Sequence, residues 1–198
     1  QEFLDQCGED ADKIPEAHIV ETNTYYEGDR YTTEQHRETL KVNGWTFCPV
    51  DIMDEEGTVD LPVKDGKWFD HMTMGSHITD YDSMLVLTHF KGHTQGGFGG
   101  SNKNIGIGCA DGRIGKAWIH TTPGQDNQWD IAKEEFMERM TESTKAVVDH
   151  FGKHITYVNV MRNMSVSCDC EGVNAEPVVT PNVGILSSTD TLALDQAC

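Results

Sequence analysis

The apolar run Met84-Leu-Val-Leu-Thr-His89 opens directly onto a segment with six glycines between Gly92 and Gly106 and a seventh at Gly108. A run of that length reads as one central strand covered on both faces. Glycines placed after it let backbone amides approach a ligand or form an anion-binding nest, and ligands of open α/β sheets collect beyond the carboxyl ends of the strands. This junction predicts an α/β domain: a mostly parallel sheet, helices on both faces, and a glycine-rich strand-to-helix loop that forms the binding edge.

The flanking pattern agrees, because strand-like and helix-like segments alternate along the chain. A short strand is expected at His18–Thr22, then a helix opened by the capping box of Thr32 and Gln35. Thr46–Val50 reads as a strand, and Val59–Phe69 as a hairpin turning at Asp65-Gly66. Phe136, Met140, Thr144, Val147 and Phe151 recur at three- and four-residue spacing, which predicts a helix over 129–151 stopped by Gly152. Ile155–Met161 and Val183–Leu186 supply two further strands, and Thr191–Cys198 a last helix. With 198 residues the chain is expected to form one domain, residues 1–198, cut from a longer natural chain.

Charge removes several function classes. Fifteen basic residues against 33 acidic ones give a net charge of -18, which repels phosphate backbones and argues against nucleic acid. No apolar stretch approaches the roughly 18 residues needed to span a bilayer, so no membrane role is expected. Six scattered cysteines do not make a secreted disulfide scaffold, and a cytoplasmic location is the expectation.

Three groups of side chains can carry chemistry. The glycine-rich segment offers His89, Gly96, Gly97, Gly99, Gly100, Asn102 and Lys103 as residues that would line a cofactor or small-molecule pocket. Neither the G-x-x-x-x-G-K-[ST] nor the G-x-G-x-x-G fingerprint is present there. Lys103, cradled beside imidazoles, is a candidate nucleophile or cofactor anchor, because a desolvated amine near other cations loses its proton. His89, His93 and His120 can converge at one strand-end cleft, as acid or base or as ligands of nickel or another divalent metal. Cys109, Cys168, Cys170 and Cys198 can supply thiolates for an iron-sulfur cluster, although the dense cysteine run of bacterial ferredoxins is absent.

Pro49-Val-Asp-Ile-Met-Asp-Glu-Glu-Gly57, Thr88-His-Phe-Lys-Gly-His93, Gly96-Gly-Phe-Gly-Gly-Ser-Asn-Lys-Asn-Ile-Gly-Ile-Gly-Cys109, Cys168-Asp-Cys170 and Leu194-Asp-Gln-Ala-Cys198 together resemble the domain of unknown function 362 family. That resemblance implies 4Fe-4S chemistry, with Cys109, Cys168, Cys170 and Cys198 as candidate ligands. The stretch from His93 to Lys103, followed by Gly-Ile-Gly-Cys-Ala, is also distantly similar to the nickel-pincer segment of the lactate racemase family. This second resemblance implies a catalytic role for His93, a cofactor-bearing Lys103 and a metal-binding His120. Asp29 stands where that family's other catalytic histidine would be, and Asn102 where it has arginine.

The leading expectation is a metal- or iron-sulfur-binding, redox-active protein with a glycine-rich ligand pocket and a redox partner protein. Two alternatives stand beside it: a nickel-pincer-type, racemase-like enzyme, and a non-catalytic electron carrier or interaction domain. If the chain is an enzyme, His93, Lys103 and His120 are its expected catalytic residues.

Overall fold

A computed structural model describes residues 16–122, 130–168 and 177–198. Strand β1 (Ile19–Glu21) is followed by helix α1 (Thr33–Val42), β2 (Val50–Ile52), β3 (Thr58–Pro62), β4 (His71–Gly75), a 3-10 helix (Ser76–Asp80) and β5 (Met84–His89). Then come β6 (Lys91–His93), β7 (Gly97–Gly99), α2 (Ser101–Gly108), α3 (Gly115–His120), α4 (Lys133–Phe151), β8 (Ile155–Met161), β9 (Gly184–Ser188) and α5 (Thr191–Ala197).

Local chemistry explains where several of these elements begin. The Thr32 side chain accepts from the Gln35 backbone, and the Gln35 side chain accepts from Thr32 N–H, so the expected capping box opens α1. The Asp190 side chain accepts from Ala193 N–H and opens α5. In α4 the side chains of Phe136, Met140, Thr144, Val147 and Phe151 are all buried, as the spacing requires.

The α/β class is as expected, but the strand pairing is mixed. Pairs β1–β2 and β5–β8 are parallel, whereas β3–β4, β6–β7 and β8–β9 are antiparallel. The central β5-β8-β9 sheet is also covered on one face only among the described residues. Val86 and Thr88 point inward, while Leu85 and Leu87 are 61% and 64% exposed, and Ile185 on β9 is 66% exposed. An apolar run therefore reported the length of β5 correctly and its two-sided burial wrongly. Period-two burial cannot be read from a strand that is apolar on both sides.

Two other expectations shift. Pro49 has no N–H for a ladder, so the second strand begins at Val50 rather than Thr46, and Phe47 lies 68% exposed. The glycine-rich segment is not one open loop. Lys91–His93 pairs with Gly97–Gly99 as a tight antiparallel hairpin, and only Gly100 separates that hairpin from α2.

The core lies between the inner face of β5 and β8 and the helices α2 and α4. Met72, Met74, Ile78, Ile105, Ile119, Phe136, Val147, Ile155 and Tyr157 are among its buried residues. Helices α2 and α4 meet at Gly106, where an added Cβ would stand 2.5 Å from Thr144 Oγ1 and 2.7 Å from Met140 O. Only glycine permits that approach, and Ser143 Oγ donates to Gly106 O at 2.6 Å across it.

Candidate functional site

The N-terminus of α2 is where a glycine-rich segment after a strand would be expected to bind an anion, and an anion of the chain itself is already there. The Asp195 carboxylate accepts from Ser101 N–H and Asn102 N–H, each at 2.9 Å. Asn159 Nδ2 donates to the same carboxylate at 2.7 Å, and Asn159 Oδ1 accepts from Ser101 Oγ at 2.7 Å. Asn159 is fully buried and Asp195 nearly so, so the network is structural and closed to solvent. A Cβ at Gly100 would lie 2.4 Å from Asp195 Oδ1, which gives this glycine a purpose without any ligand. Asn102 belongs to the same scaffold: its N–H goes to Asp195, its carbonyl accepts from Thr144, and its amide donates to Thr141.

The chemistry collects one step further on, against Phe136 of α4. The His93 ring stacks parallel to Phe136 at 6.2 Å, and the His120 ring lies 5.2 Å from the same phenyl group. Tyr25, from the loop after β1, stacks on His120 at 6.2 Å. Lys103 extends from α2 past Gly99, where an added Cβ would meet Lys103 Cδ at 3.7 Å and Lys91 Nζ at 3.8 Å. His93 and His120 thus flank Phe136, and the charge of Lys103 acts on both imidazoles. His89 does not, because it sits on the exposed face of β5, and its Nε2 bonds to Arg162 O at 2.7 Å.

Hydrogen bonds set the tautomers of the two imidazoles. Gly96 N–H donates to His93 Nδ1 at 2.9 Å, so a neutral His93 carries its proton on Nε2. His120 Nδ1 lies 2.7 Å from Lys116 O, a pure acceptor, so a neutral His120 carries its proton on Nδ1 and its lone pair on Nε2. Both rings are neutral. Burial, and then the nearby Lys103 and Lys91, push His93 down to about 3. Burial, offset in part by the Lys116 carbonyl, pushes His120 down to about 4.

The charges that act on Lys103 are cationic, while Glu21 and Asp54 lie in the field of Lys116. Burial lowers Lys103 to about 8, and Lys91, Lys116 and Arg30 press in the same direction. Among the described residues no carboxylate pairs with Lys103. Lys116 is different: nearly fully buried, it donates to Thr22 Oγ1 at 2.7 Å and to Asn23 O, tying the loop after β1 to α3. Arg139 of α4 holds the other end of α3, donating to Trp118 O and Thr121 O at 2.7 Å each. None of Arg30, Lys91, Lys116 or Arg139 has a spacing signature in the sequence. They are contributed by separate elements that only folding brings together.

The expected cysteine ligands do not assemble among the described residues. Cys168 is disulfide-bonded, with Lys91 Nζ 3.4 Å from its sulfur. Cys109 is buried, and burial raises its thiol to about 12, so it is a protonated core residue. Cys198 Sγ accepts from Asn159 Nδ2 at 3.4 Å. Cys109, Cys198 and His120 do not bring their donor atoms to a common point. Cys170 lies outside the described residues.

A second polar group lies elsewhere, lining a cavity of about 440 Å³. There Asp51, Glu55 and His77 place donor atoms within 4.8 Å of one another. It is internally neutralised: Arg37 forks onto Glu55 at 2.6 and 2.8 Å, and Asp51 accepts from His77 at 2.8 Å and Tyr81 at 2.7 Å.

None of the described helices is long and apolar enough to cross a membrane. Comparison with curated proteins finds no match. The model of the family described as Domain of unknown function (DUF362) matches residues 2–198, and the chain belongs to that family.

Proposed function

We propose that this chain carries an enzyme site for a small anionic substrate, of racemase-like type, built by His93, Lys103 and His120. The observation that supports it is the opposed tautomers of two neutral imidazoles on one phenyl ring, beside a lysine with no acidic partner. A neutral imidazole is a poor proton donor but a good hydrogen-bond donor, so His93 Nε2–H polarises a substrate oxygen. His120 Nε2, with its lone pair, takes a proton or ligates a metal. Lys103, near neutrality at pH 8, either holds the substrate carboxylate as a cation or attacks a carbonyl as an amine.

The His120 environment suits a metal ligand, since such a histidine ordinarily donates its other ring N–H to a backbone carbonyl or carboxylate. A nickel or other divalent ion bound there would act as a Lewis acid. The proposal favours this reading over a redox iron-sulfur protein or an electron carrier, because a carrier has no need of a histidine and lysine pocket.

The test incubates the protein, alone and loaded with nickel, with single-enantiomer 2-hydroxy carboxylates in deuterated water. Deuterium at Cα in the wild type, absent in a folded Lys103→Ala variant, is the expected result. Native and denaturing mass spectra of the anaerobically purified protein supply the second readout, a metal or an organic adduct on Lys103. No exchange, together with a bare mass in both spectra, would remove the proposal.

A further inference from the structure

The His120 ring takes contacts from three elements. Its own helix α3 presents Lys116 O to Nδ1 at 2.7 Å, α4 presents Phe136 at 5.2 Å, and the loop between β1 and α1 lays Tyr25 on the ring at 6.2 Å, the two planes 21° apart. The hydrogen bond sets which nitrogen carries the proton, and the aromatic neighbours set the plane of the imidazole. Helix α3 has only six residues, so its geometry depends on what packs against it.

The segment that carries Tyr25 is closed on itself and tied to the start of that helix. Thr24 N–H donates to Arg30 O at 2.9 Å and Tyr31 N–H to Gly28 O at 3.0 Å, which makes a compact loop of residues 24–31. Arg113 grips both ends of it. Its Nη1 donates to Thr24 O at 2.8 Å, its Nη2 donates to Tyr31 O, and its guanidinium lies 3.8 Å from the centroid of the Tyr31 ring. The backbone under Arg113 is fixed as well, because the Asp111 carboxylate accepts from the Arg113 and Ile114 amides. Among the described residues the Arg113 side chain donates only to carbonyls, in a chain that offers 33 carboxylates. Its fork serves geometry rather than charge.

We infer that Arg113 is a positioning residue of this site, acting through Tyr25 to hold the His120 ring in one orientation and one tautomer. Without the fork the two ends of the loop part, Tyr25 leaves the imidazole, and the ring turns away from Lys116 O. The tautomer protonated on Nε2 then competes with the one protonated on Nδ1. The inference rests on the reading above for what His120 does, and on geometry alone for how its ring is held.

The experiment is long-range proton–nitrogen NMR of the imidazoles in the full chain at pH 7.5. Wild type should show His120 as the single Nδ1–H tautomer. Arg113→Gln and Tyr25→Leu should each give a mixture, the double variant should be no worse than either, and Tyr25→Phe, which keeps the stack, should retain the single tautomer. Arg113→Lys keeps the charge but cannot fork onto two carbonyls, so it should behave as Arg113→Gln does, and it decides the matter if that variant fails to fold. His93, whose Nδ1 is held by Gly96 in a different hairpin, should stay in place. In the Cα exchange assay, kcat should fall at least about tenfold in Arg113→Gln with KM little changed, as displacement of a reacting group predicts. A single His120 tautomer retained in the folded Arg113 variants, or equal changes in His93 and His120, would overturn the inference. Tautomer mixing without Cα exchange in any of the proteins keeps it and removes the racemase-like reading. Wild-type exchange that survives Arg113→Gln undiminished does the reverse.

Discussion

Asp195 closes the N-terminus of the helix that begins at Ser101, its carboxylate accepting the Ser101 and Asn102 amides at 2.9 Å each from 93 and 94 residues away along the chain. The anion site that a glycine-rich segment advertises is thus filled from within.

Asp195→Ala leaves three N–H groups without an acceptor: the Ser101 and Asn102 backbone amides and one N–H of the buried Asn159 side chain, whose amide nitrogen also donates to Cys198 Sγ. The expected loss is about 3 kcal/mol, since unsatisfied buried donors cost about 1 to 3 kcal/mol each and part of the deficit is recovered by water. Urea denaturation measures it, and a loss below about 1 kcal/mol would show the network to be dispensable.

Gly100→Ala should be destabilising for one reason, the 2.4 Å approach of its new Cβ to Asp195 Oδ1. The two substitutions must then be strongly non-additive. In an Asp195→Ala background, Gly100→Ala should cost less than half of what it costs in the wild type, as a double-mutant cycle would record.

Lys103 should be the lysine most readily modified below pH 9. Its amine, lowered to about 8 first by burial and then by Lys91, Lys116 and Arg30, is half deprotonated where surface lysines are protonated. Limited acetylation followed by peptide mapping should show a modification midpoint near pH 8. A midpoint at the usual lysine value would contradict the desolvated pocket.

Acid should weaken the fold well before ordinary carboxylates titrate. Burial lowers His36 and His120 to about 4 and His93 to about 3, from 6.5. The unfolded chain therefore binds more protons below pH 6.5, and stability falls as pH drops from there toward 4. Two groups run the other way. Glu21, raised by burial, favours the fold at low pH, and His77, raised by its bond to Asp51, favours it below its own raised value. Three lowered imidazoles outweigh them, so the melting temperature should drop between pH 6.5 and 4.5, and a flat profile would refute the assignment.

Arg139→Met should damage the site without touching it. The substitution frees the carbonyls of Trp118 and Thr121 that bracket His120, and it strands Glu135, at a cost of about 3 kcal/mol for breaking a buried ion pair. The His120 ring resonances should shift and broaden in NMR spectra while those of His93 stay in place. Equal shifts in both would indicate general loosening of the core.

Much of the secondary structure was legible because it is local. The Thr32 and Gln35 capping box, the five-residue apolar stripe of α4 and the length of β5 depend on neighbours within a few positions, and the chain specifies them directly. His93 and Lys103 were legible for a related reason, since a short hairpin and one helical turn connect them.

Contacts between distant residues decided the rest. Whether the outer face of Leu85 and Leu87 is covered, whether β9 runs antiparallel to β8, and whether Gly100 faces a ligand or Asp195 depend on how separate elements pack. No periodicity encodes that. The chain alone determined that two histidines and a lysine would lie close to a glycine-rich turn. Tertiary structure alone decided that His93 and His120 meet on Phe136 and which nitrogen of each carries the proton. Tautomer, desolvation and unpaired charge are properties of three-dimensional surroundings and have no expression in a linear order of residues.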